Sequence, residues 1–180
     1  STVTSQRSDG MDGVLADNFN QVSETLVTNW STETAQTQME NWLGSHSKEE
    51  IEALDLIVTH DDEIVDGLMN ALDAYSGEAA INLKLITSVG GREETLQKFE
   101  NTQLGVKFWT SFFSPSFIRQ AFELGLADLT GQPFEAEQDE NGTYLIPSFS
   151  ITNADQAGDE DFESYRATED YEERYAISLA

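Results

Sequence analysis

Residues 47–77 read SKEEIEALDLIVTHDDEIVDGLMNALDAYSG, and the fold turns on the period of their apolar side chains. Ser47 followed by Glu50 spells a capping box, in which a hydroxyl and a carboxylate each satisfy one of the unpaired N–H groups at a helix start. Behind it Ile51, Leu54, Val58, Val65, Leu68, Leu72 and Tyr75 recur at helical spacing, with Asp61 the interruption. The expectation is one long helix, or two broken near Thr59-His60-Asp61-Asp62, ending by Gly77.

Upstream, residues 1–13 (STVTSQRSDGMDG) are polar and punctuated by Gly, and read as an arm. Leu15, Phe19, Val22, Leu26 and Trp30 then mark one face of a helix. Ser31 to Gln38 is polar and Thr-rich, a loop or an edge strand, and Trp42-Leu43 leads into a stop at Gly44. Downstream the period changes. Ile81, Leu83, Leu85, Thr87 and Val89 alternate as in a strand closed by Gly90-Gly91. Arg92 to Glu100 suits a short helix carrying Leu96 and Phe99. Leu104, Val106, Phe108, Thr110 and Phe112 alternate again, with Trp109 and Phe113 on the opposite face. Ser114-Pro115 supplies a cap and a first-turn Pro for a helix to about Leu126.

Asn141-Gly142 is a hairpin-turn dipeptide. Tyr144 to Thr152 reads as a strand with Pro147 marking an edge or bulge. Asn153 to Asp161 reads as an acidic loop. Phe162 to Thr168 and Arg174 to Leu179 read as closing strands joined by a turn around Glu169-Asp170. The expected class is α+β: a helical N-terminal half followed by an antiparallel β-sheet or sandwich. One domain over 14–180, helix-rich in 14–77 and strand-rich in 78–180, follows the arm at 1–13.

Charge is the strongest compositional signal. The chain carries 34 Asp and Glu against 9 Lys and Arg, a net charge of −25 over 180 residues, with the acids spread along its length. Such a surface repels itself in dilute buffer and is screened in concentrated salt, where the Debye length falls to about 3 Å. This points to an extreme halophile, or a virus of one. It also disfavours a nucleic-acid partner bound through phosphates, because no basic stripe exists to release counterions. No apolar run approaches the roughly 20 residues that span a bilayer, and no secretory leader shows at the N-terminus. With no Cys there are no disulfides, thiol nucleophiles or thiolate metal sites.

Catalytic spellings are missing. His46 and His60 are the only imidazoles, neither sits in a recognisable motif, and no Gly-x-Ser-x-Gly elbow occurs. Gly90-Gly91-Arg92 follows a strand and precedes a helix but lacks the Lys of a phosphate loop, so a plain turn is the better reading. Asp159, Asp161 and Glu163 alternate like the first ligands of a calcium loop, yet Ser164 and Asp170 stand where Gly and Glu are needed. They are weak metal candidates, weaker still being His60 with Asp62 and Glu63. No cofactor is expected beyond loosely bound salt cations. Asn29-Trp30-Ser31 and Asn141-Gly142-Thr143 spell glycosylation sequons, the second on a reachable turn.

The densest apolar feature is Lys107-Phe108-Trp109-Thr110-Ser111-Phe112-Phe113, aromatic on both faces of one strand. One face belongs in a core; the other needs a cover, which makes Phe108, Trp109, Phe112 and Phe113 candidates for subunit contact. The stretches GTYLIPSFSITN (142–153), DFESYRAT (161–168) and YAISL (175–179) resemble the closing strands of phage tail-tube proteins. In size the chain is also similar to small single jelly-roll coat proteins. Both resemblances imply a non-enzymatic protein that assembles with copies of itself and other virion proteins, located in the virion. The alternative is a soluble haloarchaeal binding or adaptor domain in the cytoplasm, with one pocket lined by aromatics.

Overall fold

A computed structural model of the chain describes residues 2–15, 19–115, 117–132, 138–145, 148–155 and 158–168. The elements run α1 (Thr2–Leu15), α2 (Thr32–Ser45), α3 (Lys48–Glu52), β1 (Leu56–Val58), α4 (Asp62–Ala74), β2 (Leu85–Gly90), α5 (Glu93–Asn101), β3 (Lys107–Phe112), α6 (Phe117–Thr130), β4 (Ser150–Thr152), β5 (Glu160–Asp161) and α7 (Phe162–Arg166).

The 47–77 stretch folds as helix, strand, helix. Its capping box forms as spelled: Glu50 N donates to Ser47 Oγ (3.3 Å) and Ser47 N to Glu50 Oε2 (2.8 Å). The helical period then gives way at Leu56-Ile57-Val58, which pairs in parallel with β2 from Leu56↔Leu85 to Val58↔Thr87. A run of branched side chains suits a pleated surface, and pairing with a neighbour overrides the local period. Asp61 restarts the helix, its carboxylate accepting from Glu63 N at 3.0 Å.

The strands form one five-stranded sheet in the order β1-β2-β3-β4-β5. Pairings β1–β2, β2–β3 and β4–β5 are parallel and β3–β4 alone is antiparallel. The fold is therefore a mixed α/β arrangement and not an antiparallel sandwich. Its physical cause is the interleaving of helices: α4 carries the chain from β1 to β2 and α5 from β2 to β3, and such crossovers return the chain in the same direction. Ile86, Ser88, Phe108, Thr110 and Phe112 are buried on one face, while Leu85, Thr87, Val89, Trp109 and Ser111 on the other are half-exposed. The buried face joins Val65, Leu68, Met69 and Leu72 of α4 and Leu96 and Phe99 of α5 in one core, with Phe99 stacked on Phe108 at 4.4 Å. α2 lies against α4 so closely that a Cβ on Gly67 would stand 2.2 Å from Thr32 O.

Other expectations change with this frame. The face Leu15–Trp30 is not a helix: α1 ends at Leu15, and Phe19, Val22 and Leu26 are exposed in irregular chain. Ser31 caps α2 instead of opening a loop or strand. Phe162 to Thr168 holds the helix α7, because Asp161 accepts from Ser164 N at 2.7 Å and caps it. Only Ser150–Thr152 of the 144–152 stretch is strand. The Asn141-Gly142 turn forms, with Gly142 at φ +79° beside an isolated Gln138↔Tyr144 bridge. Pro147, the Glu169-Asp170 turn and the Arg174–Leu179 strand lie outside the described residues.

Candidate functional site

In an open parallel sheet, ligand sites gather outside the carboxyl ends of the strands, where loops converge and helices begin. Here those ends are Thr59-His60-Asp61-Asp62 after β1, Gly90-Gly91-Arg92 after β2 and Phe113-Ser114 after β3. Their anchor is Asp62, fully buried in the first turn of α4. Its Oδ2 accepts from Gly91 N (2.7 Å) and Arg92 N (2.9 Å), and its Oδ1 from Thr110 Oγ1 (3.2 Å). One carboxylate thus ties the ends of all three strands together. It also explains the glycine: a Cβ on Gly90 would lie 2.4 Å from Asp62 Oδ2. Thr59 locks the same edge, its Oγ1 donating to Thr87 O at 3.0 Å.

Above this floor sits a cluster the sequence did not join. The Arg7 guanidinium, reaching in from α1, donates to the carbonyl of His60. Its carbon lies 5.8 Å from the Trp30 ring centre and 5.9 Å from that of Phe113, so the cation is sandwiched between two aromatic faces. Trp30 is also 6.4 Å from the His60 ring, centre to centre. Asn29 and Trp30 both take left-handed backbone, φ +52° and +59°. Two such non-glycine residues in a row are costly and hold Trp30 over the strand ends. Trp30 is 39% and Phe113 56% exposed, so both rings remain reachable.

The electrostatics follow from burial. Desolvation pushes the Asp61 carboxyl above its ordinary value, reinforced by Asp62 and Glu63 and opposed by its bond from Glu63 N and by Arg7. His60 is pulled below its ordinary value by burial first and by Arg7 second, so its ring is neutral near pH 7. Deeper in, burial raises Asp66, which accepts from Thr95 Oγ1 at 3.0 Å and from Arg92 Nη1 at 3.3 Å. A guanidinium, a carboxylate and the exposed parts of two aromatic rings can together grip a small molecule that has hydroxyls on its edges and C–H groups on its faces.

The residues singled out from sequence are dispersed. Phe108 and Phe112 are buried within the chain, Trp109 is half-exposed, and Phe113 alone of the four reaches the strand-end cluster. Asp159 Oδ2 accepts from Ser150 N and Oγ (2.8 and 2.9 Å), Asp161 caps α7, and Glu163 is exposed in its first turn. Among the described residues no group of three His, Asp or Glu converges as a metal site. Arg7 and Trp30 were missed because the first sits in a polar stretch that reads as an arm but folds as the helix α1, and the second reads as part of a buried helix face. The available signal was scarcity: Arg7 is one of only 9 basic residues in the chain.

The model of the periplasmic binding protein domain matches residues 1–133. Two crystal structures share the fold: one of a Mycobacterium smegmatis protein, 15% identical with a TM-score of 0.56 over 80% of this chain and 44% of that one, and one of a galactofuranose binding protein, 15% identical with a TM-score of 0.59 over 80% of this chain and 45% of that one. The chain therefore spans less than half the length of either. No curated protein sequence matches it. The family match overturns the tail-tube and coat-protein resemblances, and with them assembly among virion proteins and a place in the virion; the alternative of a binding domain fits this family better, while its cytoplasmic location gains no support. Over most of its length, strand ends included, this chain belongs to the periplasmic binding protein domain family.

Proposed function

We propose that the chain is a ligand-binding lobe of a solute-binding protein working outside the cytoplasm, and that it holds a small neutral sugar at the carboxyl ends of β1, β2 and β3 without chemically changing it. The observation that carries this reading is Arg7, held between Trp30 and Phe113 above the His60 carbonyl. The exposed parts of the Trp30 and Phe113 rings, beside the guanidinium they hold, receive the C–H face of a sugar ring, the guanidinium donates to its hydroxyls, and Asp61 accepts from them. Arg7 and Asp61 offset each other's charge, which favours a neutral ligand over an ion. The galactofuranose binding protein that shares the fold makes a furanose the first sugar to try.

Calorimetric titration with galactofuranose in molar KCl tests it. Binding is expected to weaken about tenfold or more in Trp30→Ala, and similarly in Arg7→Gln, each removing one grip worth on the order of 1–3 kcal/mol. Undiminished binding in both variants would remove the strand-end site. No heat with galactofuranose or with other neutral aldoses would remove sugar as the ligand.

A further inference from the structure

The matched family region stops at residue 133, yet the strand-end loops are held from beyond it. Tyr165 on α7 is fully buried, its ring against Phe112 (5.9 Å) and Phe149 (6.2 Å). Its hydroxyl donates to Gly91 O at 3.1 Å, across 74 residues of sequence. Asp62 holds both peptides that flank Gly91, because Gly91 N donates to it and so does Arg92 N, which shares a peptide unit with the Gly91 carbonyl. Gly91 is therefore gripped at both ends, by Asp62 from α4 and by Tyr165 from α7. The backbone there also leaves no room for a side chain: at φ +101°, a Cβ would lie 3.0 Å from Ile151 Cδ1 and 3.1 Å from Phe112 Cδ2. α7 is itself pinned to α5, since Arg166 Nε bonds Glu93 Oε2 (2.9 Å) and its Nη1 and Nη2 bond Glu100 (2.7 and 3.1 Å). The closing segment β4–β5–α7 is thus wired into the loop between β2 and α5.

We infer that Tyr165 is a positioning residue for the strand-end site: without touching the ligand, it sets the path of residues 90–92 through the Gly91 carbonyl. The inference rests on the strand-end reading above for its consequence in binding, and on the hydrogen bond alone for its consequence in the loop.

Tyr165→Phe removes the hydroxyl and keeps the ring, and two readouts are taken on the whole chain. Amide exchange followed by NMR is expected to quicken at Gly91 and Arg92 by about fivefold to tenfold more than at the slowest amides of β2 and β3, as loss of one buried hydrogen bond implies. Galactofuranose affinity is expected to fall several-fold. A merely structural loss would speed the slow core amides and the loop alike, and that result overturns the proposal. So does an unchanged loop, or a quickened loop with unchanged affinity. If the wild-type chain binds no galactofuranose while the loop amides quicken as expected, the positioning of the loop stands and the sugar assignment falls.

Discussion

Asp62 shows how much one side chain can organise. Two backbone N–H groups and a buried hydroxyl depend on it, from two different strand ends. Asp62→Ala strands those donors away from water, at roughly 1–3 kcal/mol for each backbone group, so a loss of about 3 kcal/mol in urea unfolding is expected. Asp62→Asn should cost less than Asp62→Ala, because its amide oxygen can keep both N–H donors while its amide nitrogen donates to the Thr110 hydroxyl, which turns from donor to acceptor. His60 gives a pH signature at the same site. Its folded pKa lies below the ordinary 6.5, so the unfolded chain takes up the proton first. Stability associated with His60 is present above 6.5 and is lost as pH falls below it. Asp61 runs the other way: with its folded pKa raised above 3.8, its contribution fades as pH climbs from there. Between pH 5 and 7.5 His60 therefore pulls the urea midpoint down toward acid while Asp61 and Asp66 pull it up, and His60→Gln should remove the first of these contributions and leave the midpoint falling less, or rising more, toward acid. A slope unchanged in His60→Gln would show that other groups set it.

At the scale of elements, the parts legible in sequence were those whose signal is local. The Ser47 box, the α5 helix and the two strands closed near Gly90 and Phe112 follow from neighbours a few residues apart and form, although β2 begins at Leu85 and not at Ile81, and β3 at Lys107 and not at Leu104. Ser47→Ala is expected to cost about 1 kcal/mol, the usual worth of such a cap, read as a shift in urea midpoint. Phe108→Ala, which empties the stack on Phe99, should cost about 3–5 kcal/mol. What was not legible needed distance. Leu56–Val58 fits a helical period and becomes a strand only because β2 lies beside it. Phe162–Arg166 alternates like a strand and becomes a helix because Asp161 caps it. The site was dispersed in the same sense: Arg7, Trp30, His60 and Phe113 have no common spacing, and only the fold brings them together.

For the whole molecule, a net charge of −25 makes ionic strength part of the fold. With few basic partners, the acidic surface relies on counter-ions, so the melting temperature is expected to rise steeply with KCl until screening saturates. A melting temperature indifferent to salt would mean that the charges are too far apart to strain the fold. Helix α6 adds a second molecular property. Ile118, Phe122, Leu126 and Leu129 form one exposed stripe along it, Leu129 being 86% exposed. A contiguous apolar face of this kind binds hydrophobic dyes and promotes association. The 180-residue chain is expected to enhance anilinonaphthalene sulfonate fluorescence, and Phe122→Ser with Leu126→Ser to abolish most of that signal.

The sheet is laid down in the order in which the chain is written, β1 through β5. During synthesis each strand emerges next to a predecessor already in place, so no strand must wait for a later one to fill a gap between earlier ones. The sheet can thus grow from one edge as the ribosome proceeds. Tyr165, which fastens Gly91, leaves the tunnel 74 residues after it. The nascent chain passes through a stage with its first strands assembled and its strand-end loop still loose, and that loop takes its final shape only after residue 165 has emerged.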